Sequence, residues 1–335
     1  MKIIVDAMSG DNAPEQIVYG AVQAANDLEV DILLTGDEEK IKKCLRDIDA
    51  ENNKRIEIAH TPDVITMCDE PTSILRENRT SSMGLAFDLL AKGEGDAMIS
   101  AGNSGALLCG SSLIIKRIKG IKRAALAGVI PFGRKLLIDS GANSEFKAEY
   151  LSQYATMGSI YMNCAFGIES PRVALLNNGT EESKGTPEHR EAHNLLKNNN
   201  KINFIGNIEG RDLYTDVCDV VVTDGFSGNI ALKTLEGGGK YFGAEIKKMF
   251  KSGILSAIAY LLVKKKVSAF KNSLDYRIYG GAPFLGVKKT VVKAHGSSDK
   301  VAIYHTVAQA AKLVNGGLID KITSQLDSEV SGDVK

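Results

Sequence analysis

The feature that most constrains this chain is a repeated unit: a short β-branched run, a loop of glycine and small polar residues, then a helical pattern. Lys2–Asp6, Ile32–Thr35, Ile56–His60, Ala97–Ser100, Leu136–Asp139, Val173–Asn177, Phe204–Gly206, Val220–Thr223 and Val291–Ala294 read as strands. Pro14–Asn26, Met83–Lys92, Ala106–Ile118, Ala148–Met162 and Pro187–Lys197 read as helices among them. Runs this apolar suit strands covered on both faces, and helical crossovers suit parallel pairing. The alternation predicts a three-layer α/β/α fold with a largely parallel sheet.

No Pro/Ser-rich linker divides the 335 residues, so 1–335 reads as one large α/β unit. Composition changes most at about 240–280, which reads as a helical insertion. Asn229–Phe250 forms one long helix pattern and Lys251–Asn272 a second; Asp299–Val314 and Leu318–Leu326 close the chain as helices. Charge is balanced, 41 Lys+Arg against 41 Asp+Glu, which argues against a nucleic-acid partner. The five cysteines are scattered without a C-x-x-C pair and read as reduced thiols. With no signal-like apolar segment at the start and no run of ~18 apolar residues, the expectation is a cytoplasmic protein.

Six loops carry the polar chemistry. They are DAMSGDNAP (6–14), AGNSGA (101–106), SGAN (140–143), NNGTEESKG (177–185), TDGFSGN (223–229) and KAHGSSD (293–299). Ligands of open α/β sheets bind outside the carboxyl ends of strands, so the six are expected to converge on one edge. Gly102 and Gly105 would let backbone approach an anion, and Ser104 would cap the following helix. Ser297 and Ser298 repeat that design, and Ser100, Asn103, Asn143, Thr180 and Asp224 lie in or beside the same loops. Lys184 would bring a positive charge that backbone donors lack. His295, in a glycine- and serine-rich loop, reads equally as a ligand-binding or a structural residue. His189 and His193 sit four apart, but without a third ligand they read as surface histidines rather than a metal pair. Cys109 reads as buried packing. No nucleotide-loop, dinucleotide or activated-serine signature is present, so neither a cofactor nor a metal is expected.

Segment 247–271 joins an apolar stretch to lysines. Leu255, Ile258, Leu261 and Leu262 precede Lys264, Lys265 and Lys266, and Lys247, Lys248 and Lys251 lie upstream. Such a segment suits an anionic membrane surface or an acidic protein, and equally a dimer or core helix with its lysines in solvent.

Taken in order and spacing, DAMSGDNAP, ISAGNSGA, LLNNGTEESKG, VVTDGFSGN, YGGAPFLG and VKAHGSSD resemble the bacterial phosphate acyltransferase family of phospholipid synthesis, from Met1 to about residue 320. The chain departs from that pattern at Ser9 and Asn12, where Gly and His are usual, so Asn12 supplies no acid–base chemistry. The resemblance implies a fold like the phosphotransacetylases and isocitrate dehydrogenases. It implies transfer of a long-chain acyl group from acyl carrier protein to inorganic phosphate, giving acyl phosphate for phosphatidic acid. It also implies a homodimer held peripherally at the membrane, near the membrane glycerol-3-phosphate acyltransferase. On that reading phosphate goes to the Ser104–Gly105 turn and Lys184. Asn229, capping its helix beside Asp224, donates to the oxyanion, and His295 binds either group. A short-chain phosphotransacetylase using acyl-coenzyme A and a non-catalytic carrier-protein or membrane scaffold are the alternatives.

Overall fold

The computed structural model describes residues 1–130, 134–273 and 275–332. Its strands are β1 Lys2–Asp6, β2 Asp31–Gly36, β3 Ile56–His60, β4 Ala97–Ser100, β5 Ala125–Ile130, β6 Lys135–Ile138, β7 Arg172–Leu176, β8 Asn203–Ile208, β9 Val220–Val222, β10 Ala282–Leu285 and β11 Thr290–Lys293. The helices are α1 Glu15–Leu28, α2 Glu38–Asp47, α3 Ser82–Lys92, α4 Ser104–Cys109, α5 Ala148–Phe166, α6 Pro187–Lys197, α7 Gly225–Lys251, α8 Ile254–Ser273, α9 Lys300–Asn315 and α10 Leu318–Gly332.

The strands form one sheet in the order β3-β2-β1-β4-β11-β10-β5-β6-β9-β7-β8. Pairing is parallel on both wings and antiparallel at β11–β10, β10–β5 and β5–β6. The expected fold class stands. Helices cover both faces because the strands are apolar on both. Ile3 and Val5 pack with Ile17, Val18, Ile303 and Val307 of α1 and α9, while Ile4 packs with Met83 and Phe87 of α3. All three β1 residues are fully buried, each worth roughly 1.5–3 kcal/mol against exposure. In the other wing Leu136 and Ile138 meet Leu151 and Ala155 of α5, and Leu137 meets Leu235 of α7.

β5, β10 and α2 were not expected from the sequence, and the reason is local. β5 is ALAGVI, poor in β-branched residues, and β10 is APFL, where a proline argues against a central strand. Burial in the sheet overrides both preferences. The helix expected over Ala106–Ile118 divides into α4 and a π-type segment, Gly110–Lys116.

Those three antiparallel pairings reverse the strand direction between wings. The expectation that six loops converge on one edge is therefore corrected. The loops after β1, β4 and β11 form one group, and those after β6, β7 and β9 form another at the opposite strand ends. Each group lies at its own reversal of strand order, between β1 and β4 and between β9 and β7, where crevices open. The long helix α7, rising from the second group, brings Lys233 and Glu236 to Lys293 and His295 of the first.

Candidate active site

The first group is tied to a buried carboxylate at the end of β1. Asp6 accepts the Ser100 hydroxyl at 2.6 Å and the Met8 N–H at 3.3 Å, and Ser100 Oγ accepts the Gly102 N–H at 3.1 Å. Ser100 is thus committed to the framework rather than to a ligand. Gly102 packs closely: a Cβ there would lie 2.5 Å from the Met83 methyl and 2.9 Å from Ser9 Oγ. Asn103, not Ser104, caps α4, its Oδ1 taking the N–H groups of Gly105 and Ala106 at 3.0 and 3.2 Å. Its Nδ2 also donates to the Thr66, Met67 and Asp69 carbonyls. The first-turn donors expected to face an anion are therefore occupied. Gly105 packs on Pro71, where a Cβ would sit 2.6 Å from Cγ.

Lys293, at the end of β11, donates from Nζ to Ser104 Oγ. Burial pushes its ammonium down to about 8, and Lys233 of α7 adds repulsion. His295 accepts the Ser297 N–H on Nδ1 at 3.1 Å, with the Ser297 hydroxyl 2.9 Å from the same nitrogen. A ring nitrogen that accepts an N–H carries no proton, so the neutral imidazole holds its proton on Nε2. Burial lowers the His295 pKa; Lys233, Lys293 and Lys240 lower it further and Glu236 opposes them. Asn12 ties the loop down, donating to the Ser297 and Ser298 carbonyls at 3.2 Å. The capping role expected of Ser297 and Ser298 belongs to Asp299, which accepts the Ala302 N–H at 3.0 Å. Beside this loop Met8, Ser9, Gly10, Asp11, Thr66 and Gly102 line a cavity of about 200 Å³, with the Ser9 hydroxyl buried and unpartnered among the described residues.

The second group is built on Asp139, fully buried just after β6. Its carboxylate accepts N–H groups from Leu126, Gly141, Ala142 and Asn143 at 2.8–3.2 Å and the Asn143 side-chain amide at 2.7 Å. Asn143, expected to bind substrate, is instead occupied by Asp139, the Ala124 carbonyl and the Tyr154 hydroxyl. Asp224 caps α7 by accepting the Ser227 N–H at 2.8 Å, which corrects the expectation that Asn229 was the cap. Asn229 lies one turn further, packed against Gly141, where an added Cβ would be 3.1 Å from the Asn229 Cβ. Asn229, Lys233, Glu236 and Lys240 follow helical spacing along one side of α7, the side that reaches His295.

The histidine pair is not on the surface, which corrects that expectation. His193 is buried with Nδ1 2.9 Å from Asn207 Oδ1, and His189 Nε2 lies 3.8 Å from Asp224 Oδ2 with its ring edge-on to Phe146. Burial lowers the His189 pKa against the pull of Asp224 and Glu188. Asn177, Asn178, Gly185, Thr186, His189 and Ser227 border a cavity of about 520 Å³. Lys184 and Thr180 are exposed on the loop beside it. Lys184 Nζ lies 3.8 Å from Glu181, and Ser104 Oγ accepts from Lys293. No group of three His, Cys, Asp or Glu side chains arranged for a metal occurs among the described residues. Sequence reasoning missed Lys293 and Lys233; the available signal was a lysine ending the apolar run Val291–Val292 directly before KAHGSSD.

α8 lies against α7, with the Phe250 and Tyr260 rings 5.2 Å apart. Ile254, Leu255, Ile258, Leu261 and Leu262 form one stripe at helical spacing, from 50% to 83% exposed. Lys264, Lys265 and Lys266 follow it, also exposed. No helix among the described residues is long and apolar enough to cross a membrane.

The family model described as "Fatty acid synthesis protein" matches residues 1–321. A phosphate acyltransferase of Listeria monocytogenes is 45% identical over 331 residues, 98% of this chain and 97% of that protein. One from Streptococcus sanguinis is 46% identical over 325 residues, 96% of each. Among solved structures, the EutD phosphotransacetylase from Staphylococcus aureus superposes with a TM-score of 0.58 at 17% identity, covering 94% of both chains. That likeness concerns the fold.

Proposed function

The chain belongs to the fatty acid synthesis protein family and is an acyltransferase, and from that premise we propose that it transfers a long-chain acyl group from acyl carrier protein to inorganic phosphate. The observation that carries the reading is the near-full-length similarity to proteins named phosphate acyltransferase. The cleft chemistry supports it. A phosphate oxygen attacks the thioester carbonyl, the C–S bond breaks, and the hydrogenphosphate proton ends on the departing thiolate. The thiol has an ordinary pKa near ~8.5, so neither a strong base nor a strong acid is demanded. The site must position the phosphate and stabilise the tetrahedral oxyanion. The Nε2–H of neutral His295 and the Asn229 amide are the donors for that oxyanion. Lys184 contributes positive charge from the loop after β7.

The product, an acyl phosphate, is apolar at one end, and the uncovered stripe of α8 suits delivery at a lipid surface. We place Leu255, Ile258, Leu261 and Leu262 in that surface, with Lys264–Lys266 drawing in anionic headgroups and the acidic carrier protein. A homodimer and hand-over to a membrane glycerol-3-phosphate acyltransferase complete the reading.

The test is thioester consumption with palmitoyl-acyl carrier protein and with acetyl-coenzyme A, with and without inorganic phosphate. Phosphate-dependent loss of the long-chain thioester is expected. Turnover of acetyl-coenzyme A alone would move the chain to the phosphotransacetylases, and no turnover of either would sink the proposal.

A further inference from the structure

An ammonium taken out of water is stabilised by an opposite charge, and structures almost always supply one. Lys293, half-buried at the end of β11, departs from that rule. Its Nζ donates to a neutral hydroxyl, Ser104 Oγ, and among the described residues it has no ion pair with a carboxylate. The charge that adds to the burial effect on it is another cation, Lys233. Lys240 also acts on His295, and Glu236, which opposes the lysines there, is engaged by Lys233 at 2.9 Å, while Asp11 lies on the far side of Gly296. Positive charge therefore exceeds negative charge where the loops after β4 and β11 meet the side of α7.

We propose that Lys293 and Ser104, closed over by Lys233 of α7, form the pocket that holds the inorganic phosphate. The inference rests on the acyl-transfer reading for its ligand; it keeps Ser104 but gives phosphate to Lys293 rather than to Lys184 and the α4 backbone donors. A hydrogenphosphate dianion supplies the charge that Lys293 lacks. It accepts from the ammonium and the Ser104 hydroxyl on non-attacking oxygens, leaving one oxygen to face the thioester beside His295. Since Lys293 ends a strand of one wing and Lys233 lies on the helix rising from the other, phosphate would also join the two wings across the cleft.

The test measures phosphate and acyl donor separately. Lys293→Gln should raise the KM for phosphate at least tenfold while the KM for acyl-acyl carrier protein stays within twofold. Lys293→Arg should recover part of the loss, and Ser104→Ala should raise the phosphate KM several-fold. Titration of inorganic phosphate into the protein without acyl donor, followed by calorimetry, should show binding in the wild type and its loss in Lys293→Gln. Should Lys293→Gln fail to fold by circular dichroism, Ser104→Ala and Lys233→Gln carry the same comparison. Unchanged phosphate KM and binding in the folded variants would overturn the inference. If the wild type makes no acyl phosphate, the acyl-transfer reading fails by itself; phosphate binding lost on Lys293→Gln would still uphold the anion pocket, and absence of phosphate binding would remove it.

Discussion

The two loop groups are built from similar residues and balanced in opposite ways. Around Asp139 the donors match the acceptor: four backbone N–H groups and one amide surround a single carboxylate, and Asp224 is occupied by its helix cap and His189. Around Lys293 the cations outnumber the anions: Lys293 donates to a hydroxyl, and Lys233 and Lys240 are opposed by Glu236, which Lys233 engages. A balanced cluster satisfies itself and fixes backbone. An unbalanced one is completed by something that arrives from solution. The difference separates residues that hold the loops from residues that meet a ligand, although both kinds sit in equally glycine-rich sequence.

The comparison breaks most visibly at Asp139. Asp139→Ala strands five donors in the core and should destabilise the fold by roughly 3–5 kcal/mol, read from the urea unfolding midpoint. Normal stability would show that the second group is not a framework. Lys184→Ala, on an exposed loop with its ammonium 3.8 Å from Glu181, should lower turnover tenfold or more while leaving the unfolding midpoint in place. Turnover near wild type would remove Lys184 from the mechanism.

A smaller effect comes from pH. Burial lowers the pKa values of His189, His295 and His305 in the folded chain, so near pH 6 the unfolded chain binds more protons. Stability should therefore rise with pH through the window just below 6.5 and fall as acid is added. The thermal midpoint should drop by several degrees between pH 7.5 and 5.5, and His189→Gln should flatten that slope. A midpoint that holds or climbs on acidification contradicts these histidine environments. The smallest effect on catalysis is expected from the α8 stripe. Leu261→Glu and Leu262→Glu should abolish pelleting with anionic vesicles while activity on soluble acyl carrier protein stays within twofold. If instead pelleting persists and the oligomeric state changes, the stripe is a subunit interface.

Much of the wings was legible because a strand covered on both faces must be apolar throughout: KIIVD, AMIS and VVV can hardly be anything else. The glycine-rich loops were equally legible, since close approach needs residues without a Cβ; at Gly228 one would collide with the Asp139 carbonyl oxygen. The central strands β5 and β10 were not, because alanine, glycine and proline carry no strand preference and take that conformation only when neighbours pair with them. Roles inside the loops were also hidden. Ser104 and Asn103 are both good caps in isolation, and Ser100, Asn143 and Asp224 are all plausible ligand residues. Which of them is spent on backbone depends on partners as distant in sequence as Asp6 and Ser100.

The sequence by itself determined the alternation, the layers, the family and the places where polar loops must lie, because periodicity and glycine spacing are local properties of a chain. Tertiary structure alone decided that the strand direction reverses mid-sheet, that Asp139 is walled in by donors, and that Lys293 meets Lys233 rather than a carboxylate. Charge balance is a sum over neighbours in space, and only folding chooses those neighbours.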